Sequence, residues 1–241
     1  MEVYLSKTIL LIKEKQQRWN QELRHKGWYR IFCEKYYDIS NAWFYRRWGI
    51  RHANTPQNLA ATIDRSAGKD SWQNDASSFY YIFKGFRHVP LAPVAINLLD
   101  LGCGSGRVLS VGMKLGFNQV TGVDLDEESL EFAEMNCRIM QAHGSRTRFS
   151  IHCHDAGDFA IPEGTNLIYL FNPFGERTLR QVVHNILHYL SKGGREVYLV
   201  YYFPYYRDVI ESYREFKTWF RSNYKDGAPD LIVYKIEANT V

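Results

Sequence analysis

The chain has 241 residues, enough for one domain or one domain with an extension, and 45% of them are hydrophobic, enough for a sizeable core. Its formal net charge of +4 is mild, and 23% charged residues is ordinary for a soluble protein. The four cysteines, Cys33, Cys103, Cys137 and Cys153, form no CxxC pair, which argues against a zinc knuckle or a redox dithiol.

Residues 3–26 follow a helical pattern, with Leu5, Ile9, Ile12 and Gln16 or Trp19 on one stripe, and Gly27 interrupts it. The apolar run at 9–12 is too short, and too closely flanked by lysines, for a secretory signal. No stretch approaches the roughly 18 apolar residues a membrane span needs. Free thiols in a chain of this size fit a cytoplasmic location. Two further short helices are expected at 28–37 and 42–48, a polar loop or lid at 51–77, and a helix at 78–87 ended by Pro90 and Pro93. Residues 1–51 carry 11 Lys/Arg against five Asp/Glu, whereas the rest carries 19 against 21. That basic excess suits phosphate, an anionic glycan or an anionic membrane surface, and suits a solvated helix face better.

After Pro93, strand-like runs alternate with helical segments. Strands are expected at 96–101, 119–124, 149–154, 167–171 and 196–202, with helices at 106–115, 127–141 and 177–190 between them. That alternation is the mark of an α/β fold with a parallel, doubly wound sheet. Runs at 216–221 and 231–236, joined by a turn at Asp226-Gly227, are too close for a crossover helix and should pair antiparallel. Asp126 is placed to cap the helix at 127, with Glu127 and Glu128 in its positive first turn. Gly193-Gly194 is placed to end the helix at 177–190.

The informative segment reads NLLDLGCGSGRVLS, residues 97–110. A buried strand ends in Asp100, a turn rich in glycine follows, and a helix begins near Arg107. Glycines at 102, 104 and 106 let the backbone approach a ligand, and the helix N-terminus adds free N–H donors. A dinucleotide fingerprint would need glycine at 107 or 109, where this chain has Arg107 and Leu109. That spacing makes a nicotinamide oxidoreductase the least suitable reading. An acid two residues before the first glycine suits a cationic amino-acid group. Asp124, 20 residues after Gly104, ends the next strand where a carboxylate reaches ribose hydroxyls. Asp155, 31 residues further on, is placed to accept from an adenine amino group, and is preferred to Asp158. Finally, the strand at 167–171 runs into Phe171-Asn172-Pro173-Phe174.

These four segments resemble motifs I to IV of class I S-adenosylmethionine-dependent methyltransferases from about residue 96 to the C-terminus. The Arg after the glycine turn and the FNPF ending are similar to a bacterial group whose members have no assigned acceptor. The resemblance implies a Rossmann-like doubly wound seven-stranded sheet of order 3-2-1-4-5-7-6, with the last strand antiparallel. It implies a catalytic domain over 91–241 and a helical N-terminal extension and lid over 1–90. For S-adenosyl-L-methionine it implies contacts from Asp100, Gly102, Cys103, Gly104, Gly106 and Arg107, from Asp124 and Leu125, from Asp155 and Ala156, and from Asn172. On the acceptor side, Asn172 would orient an N–H, Phe174 would pack over the acceptor, and Glu176 would be a general base or, more simply, cap its helix.

The expected acceptor is a small molecule or glycan precursor, with RNA or protein reached by the basic N-terminus as the alternative, or a non-catalytic protein of the same fold. FYRRWGIRH, with Arg46, Arg47 and Arg51 among aromatics, fits nucleic acid, but fits a helix packed on the catalytic domain better. Tyr202 or Tyr205 could reach the acceptor pocket. His152 with His154, and His184 with His188, lack a third ligand, so no metal is expected.

Overall fold

The computed structural model describes residues 16–17, 19–51, 77–171, 174–194 and 196–237. The helical stretch expected before residue 16, the loop or lid over 52–76 and Asn172-Pro173 lie outside them. Seven strands form one sheet: β1 (Asn97–Leu101), β2 (Gln119–Asp124), β3 (Arg148–Cys153), β4 (Leu167–Phe171), β5 (Val197–Tyr202), β6 (Phe216–Asn223) and β7 (Pro229–Ile236). Their spatial order is β3-β2-β1-β4-β5-β7-β6. The first five are parallel, while β7 runs antiparallel between β5 and β6. The sheet order and the orientation of the hairpin are those expected, and Gly227 makes its turn at φ 88°.

Central strands such as β4, buried along Leu167 to Leu170, read as continuous apolar runs because helices cover both faces. On one face lie α1 (Trp28–Arg47), α2 (Phe79–Arg87), α3 (Arg107–Leu115) and α4 (Glu127–Ala142). Tyr45, Phe79, Tyr81 and Ile82 from the first two pack in the same core as Leu98, Tyr169 and Val200 of the sheet. The other face is covered by α5 (Glu176–Ser191) and α6 (Arg207–Glu211), whose Leu179, Val183, Ile186 and Ile210 meet Leu99, Ile168 and Leu199. The five-residue α6 carries too little periodicity to be read from sequence.

One boundary needs correction. The two short helices expected at 28–37 and 42–48 are a single helix of 20 residues, α1. The polar run Asp38-Ile39-Ser40-Asn41 looks like a break, but its polar groups are satisfied without one. Asn41 Nδ2 and Ser40 Oγ both donate to the Tyr37 carbonyl, and Asn41 Oδ1 accepts from Lys114 Nζ at 3.0 Å. Asp38 reaches out of its helix to accept from the Phe79 N–H (3.0 Å) and Ser78 Oγ (3.1 Å), so it holds the start of α2.

Candidate active site

Asp100 is the centre of the site. It is 2% exposed, lies between register partners Gly122 on β2 and Tyr169 on β4, and its Oδ2 is buried without a hydrogen-bond partner among the described residues. Burial, and secondarily Asp124, push its carboxyl well above the usual carboxylate range. A buried acceptor left this way is costly unless something donates to it.

The turn above it takes positive φ at Gly102 (82°), Gly104 (48°) and Gly106 (76°), a path that residues with a Cβ rarely adopt. The N–H groups of Gly102 and Cys103 donate to the Val123 carbonyl at 2.8 and 3.0 Å, and that of Gly104 to Asp124 Oδ2 at 2.7 Å. Gly106 differs from its neighbours. A Cβ there would lie 3.0 Å from that of Ala133 on α4, so this glycine serves the approach of two helices rather than of a ligand. Cys103 is buried and fills the space left by Gly122, where a Cβ would meet its Sγ at 2.8 Å.

Asp124 accepts three backbone donors: Gly104 at Oδ2, and Leu125 (2.8 Å) and Asp126 (3.1 Å) at Oδ1. Asp126 occupies the N-cap of α4, as expected, yet its carboxylate accepts from the Ser129 hydroxyl rather than from a backbone N–H. The helix start is thus shared by two acids, and Asp124 carries more of the turn than the sequence suggested. Leu125 follows on the surface, 46% exposed. At the end of β3, Asp155 is exposed and accepts from Gly157 N at 2.7 Å, with Ala156 partly buried against the core beneath α5. Asp158 lies three residues on, its N–H donating to the Asp155 carbonyl.

Three expected site residues point elsewhere. The Arg107 guanidinium donates to the Ser77 carbonyl at 2.9 Å and lies 4.9 Å from the Phe79 ring centre, so it docks α2 onto the glycine turn. Phe174 is buried with Leu179 and Val182 in the core beneath α5, anchoring the segment it ends. Glu176 opens α5 and pairs with Arg180 at 2.6 Å on the surface; Gly175 is the N-cap. Asn172 lies outside the described residues.

Of the other groups at this edge, Tyr202 and Tyr205 were expected and most of the rest escaped the sequence. The rings of Phe171, Tyr202 and Tyr81 form a continuous stack, at 4.5 and 4.4 Å, across the carboxyl ends of β4 and β5. Tyr81 donates to Glu34 of α1, which also pairs with Lys26. Asp230, fully buried at the start of β7, pairs with Arg30 at 2.5 Å and Lys84 at 3.6 Å. Asn136, also fully buried, bonds both backbone groups of Arg51 and the Ser105 carbonyl. Tyr205 is exposed. His152 and His154 flank Phe159, and no group that could hold a metal occurs among the described residues.

An acid beneath a left-handed glycine turn, a second acid at the end of β2 and the order 3-2-1-4-5-7-6 coincide with the match of a methyltransferase-domain family to residues 98–194. Residues 98–194 are thus a methyltransferase domain. Methyltransferases of this family use S-adenosyl-L-methionine. The domain is similar to a ribosomal protein L11 methyltransferase of Lachnoclostridium phytofermentans, 30% identical over 85 residues, 35% of this chain and 24% of that one. A ribosomal protein L11 methyltransferase of Thermotoga petrophila is 49% identical over 42 residues, 17% of this chain and 16% of that one. The chain therefore spans less than a quarter of the length of either relative. Among solved structures, a TehB-like SAM-dependent methyltransferase of Corynebacterium glutamicum is 20% identical with a TM-score of 0.44, over 83% of this chain and 99% of that one.

Proposed function

We propose that this chain transfers a methyl group from S-adenosyl-L-methionine to a nitrogen or oxygen of a small molecule or glycan precursor held at the carboxyl edge of β4 and β5. The observation that carries the cofactor half is Asp100 Oδ2, a buried oxygen without a donor among the described residues, beneath a turn that admits close approach. An ammonium group of an amino-acid ligand supplies that donor. When bound, the cofactor supplies a methyl group already activated by its sulfonium, so no metal is required.

The chain's residues have the remaining work. Asp100 and the turn from Gly102 to Gly104 hold the methionine part. Asp124 retains acceptor capacity beyond its three backbone donors for a ribose hydroxyl, with Leu125 alongside. Asp155 and Ala156 hold the adenine. Asn172 accepts from the acceptor's N–H and aims its lone pair, which is catalysis by positioning. Phe174 fixes the height of that segment from below. The stack Phe171–Tyr202–Tyr81 gives the edge an apolar wall that excludes water and suits an enclosed, small acceptor. Residues 91–241 form the catalytic domain in this reading, and 1–90 its helical cover. The short matches to ribosomal protein L11 methyltransferases carry no acceptor to this chain.

The test is incubation with methyl-labelled cofactor and a fractionated cell extract, followed by mass spectrometry of what acquires label. Label in a low-molecular-mass fraction supports the proposal. Label in RNA or protein favours the polymer alternative, and cofactor binding with no transfer to any fraction favours a non-catalytic protein.

A further inference from the structure

Helix α1 carries large apolar side chains on both faces: Ile31, Tyr37, Phe44 and Tyr45 pack inward, and a second set faces away from the core. The helix also buries Glu34 and Asn41 on its inward face. Its outward face carries Trp28, Tyr29, Phe32, Tyr36, Ile39 and Trp43, each 62–72% exposed. At 100° per residue these six fall within one 100° sector, a straight stripe along the helix. If each presents roughly 100–150 Å², the stripe covers about 600–900 Å². The largest apolar patch on an ordinary monomer is about 300–600 Å².

Charge on this helix is sorted with the same regularity. Both acids of α1 turn inward, Glu34 to Tyr81 and Lys26, and Asp38 to the start of α2. Lys35, Arg46 and Arg47 are exposed beside the stripe, and Arg47 lies 5.7 Å from the centre of the Trp43 ring. Arg24 is exposed just before the helix. The outward face is therefore aromatic, bordered by cations and free of acids. Tryptophan and tyrosine prefer the boundary between hydrocarbon and water, and lysine or arginine beside them meets lipid phosphates. No helix among the described residues is long and apolar enough to cross a membrane, so the fitting geometry is a helix lying in the interface.

We infer that the outward face of α1 is a docking surface for an anionic lipid membrane. A convex single helix presents its aromatics to a flat partner, and the cations supply attraction that falls with salt. The inference is independent of the acceptor, because the stripe lies opposite the face that meets Tyr81.

The experiment is flotation of the full chain with vesicles of phosphatidylcholine mixed with phosphatidylglycerol, and with pure phosphatidylcholine vesicles. The protein is expected to float with the anionic vesicles only, and less so as salt is raised. Phe32→Ser combined with Ile39→Ser should weaken flotation ~10-fold or more while the far-ultraviolet circular dichroism stays unchanged. Should that variant fail to fold, Arg46→Glu with Arg47→Glu must abolish flotation through the charge half alone. No flotation with anionic vesicles, or flotation unchanged in the folded variants, overturns the inference. So does a stripe-dependent dimer in sedimentation, or stripe-dependent RNA binding, in place of vesicle binding.

Discussion

The Gly104 N–H donates to Asp124 Oδ2 at 2.7 Å, tying the middle of the glycine turn to the end of the adjacent strand. The same carboxylate accepts from Leu125 and Asp126, so it organises two turns at once. A ribose contact would add to that work. Asp124→Ala is therefore expected to lower stability, since each backbone bond to a charged acceptor contributes about 1.5–3 kcal/mol. It should also weaken cofactor affinity at least ~10-fold. Calorimetric titration with S-adenosyl-L-methionine and with a dideoxyribose analogue separates the roles. Wild type should prefer the intact ribose, and Asp124→Ala should bind both equally. An unaltered preference in the variant leaves Asp124 only its turns.

Asp100 has a pH signature. Its folded pKa is raised, by burial first and by Asp124 second. The unfolded chain ionises it in the usual range, so its favourable contribution is present below the unfolded pKa and is lost as pH rises towards the folded one. Ligand-free Asp100→Asn should accordingly melt above wild type at neutral pH, and the gap should close as pH falls towards 4 or so. A cationic ligand favours the ionised form, so cofactor binding releases a proton and strengthens as pH rises through the free-state pKa. Calorimetry in buffers of different ionisation heat measures that proton. Asp100→Asn should release none and bind more weakly.

The docking of α2 on the sheet is tested by Gly85→Ala. A Cβ at Gly85 would come 2.5 Å from Val200 Cγ1 on β5. Overpacking of this kind costs about 1–3 kcal/mol, against up to about 1 kcal/mol gained in helix propensity. Urea unfolding should show a net loss of stability. A gain would mean that α2 shifts freely on β5.

Much of the fold was legible because strands buried on both faces are continuous apolar runs, as at Leu167 to Leu170, and turns announce themselves as at Asp226-Gly227. Asp100 and Asp124 were legible as site candidates because each ends a strand beside a glycine turn. Arg107 was not: its neighbour is Ser77, and no local pattern says that a residue opening α3 turns towards α2. Asn136, tying Arg51 to Ser105, was invisible for the same reason, since only the folded chain joins positions so far apart. The break expected in α1 failed because Lys114, 73 residues away, satisfies Asn41. The burial of Phe174 was not legible, because its partners Leu179 and Val182 lie on α5 and no local pattern places them over it.

The most direct test of methyl transfer at this edge compares wild type with Asn172→Ala, using methyl-labelled S-adenosyl-L-methionine and the extract fraction that wild type labels. Cofactor affinity should be retained while turnover falls ~10²-fold or more, the loss expected when a positioning contact is removed. Undiminished labelling by Asn172→Ala, or the absence of cofactor binding by wild type, would contradict the account.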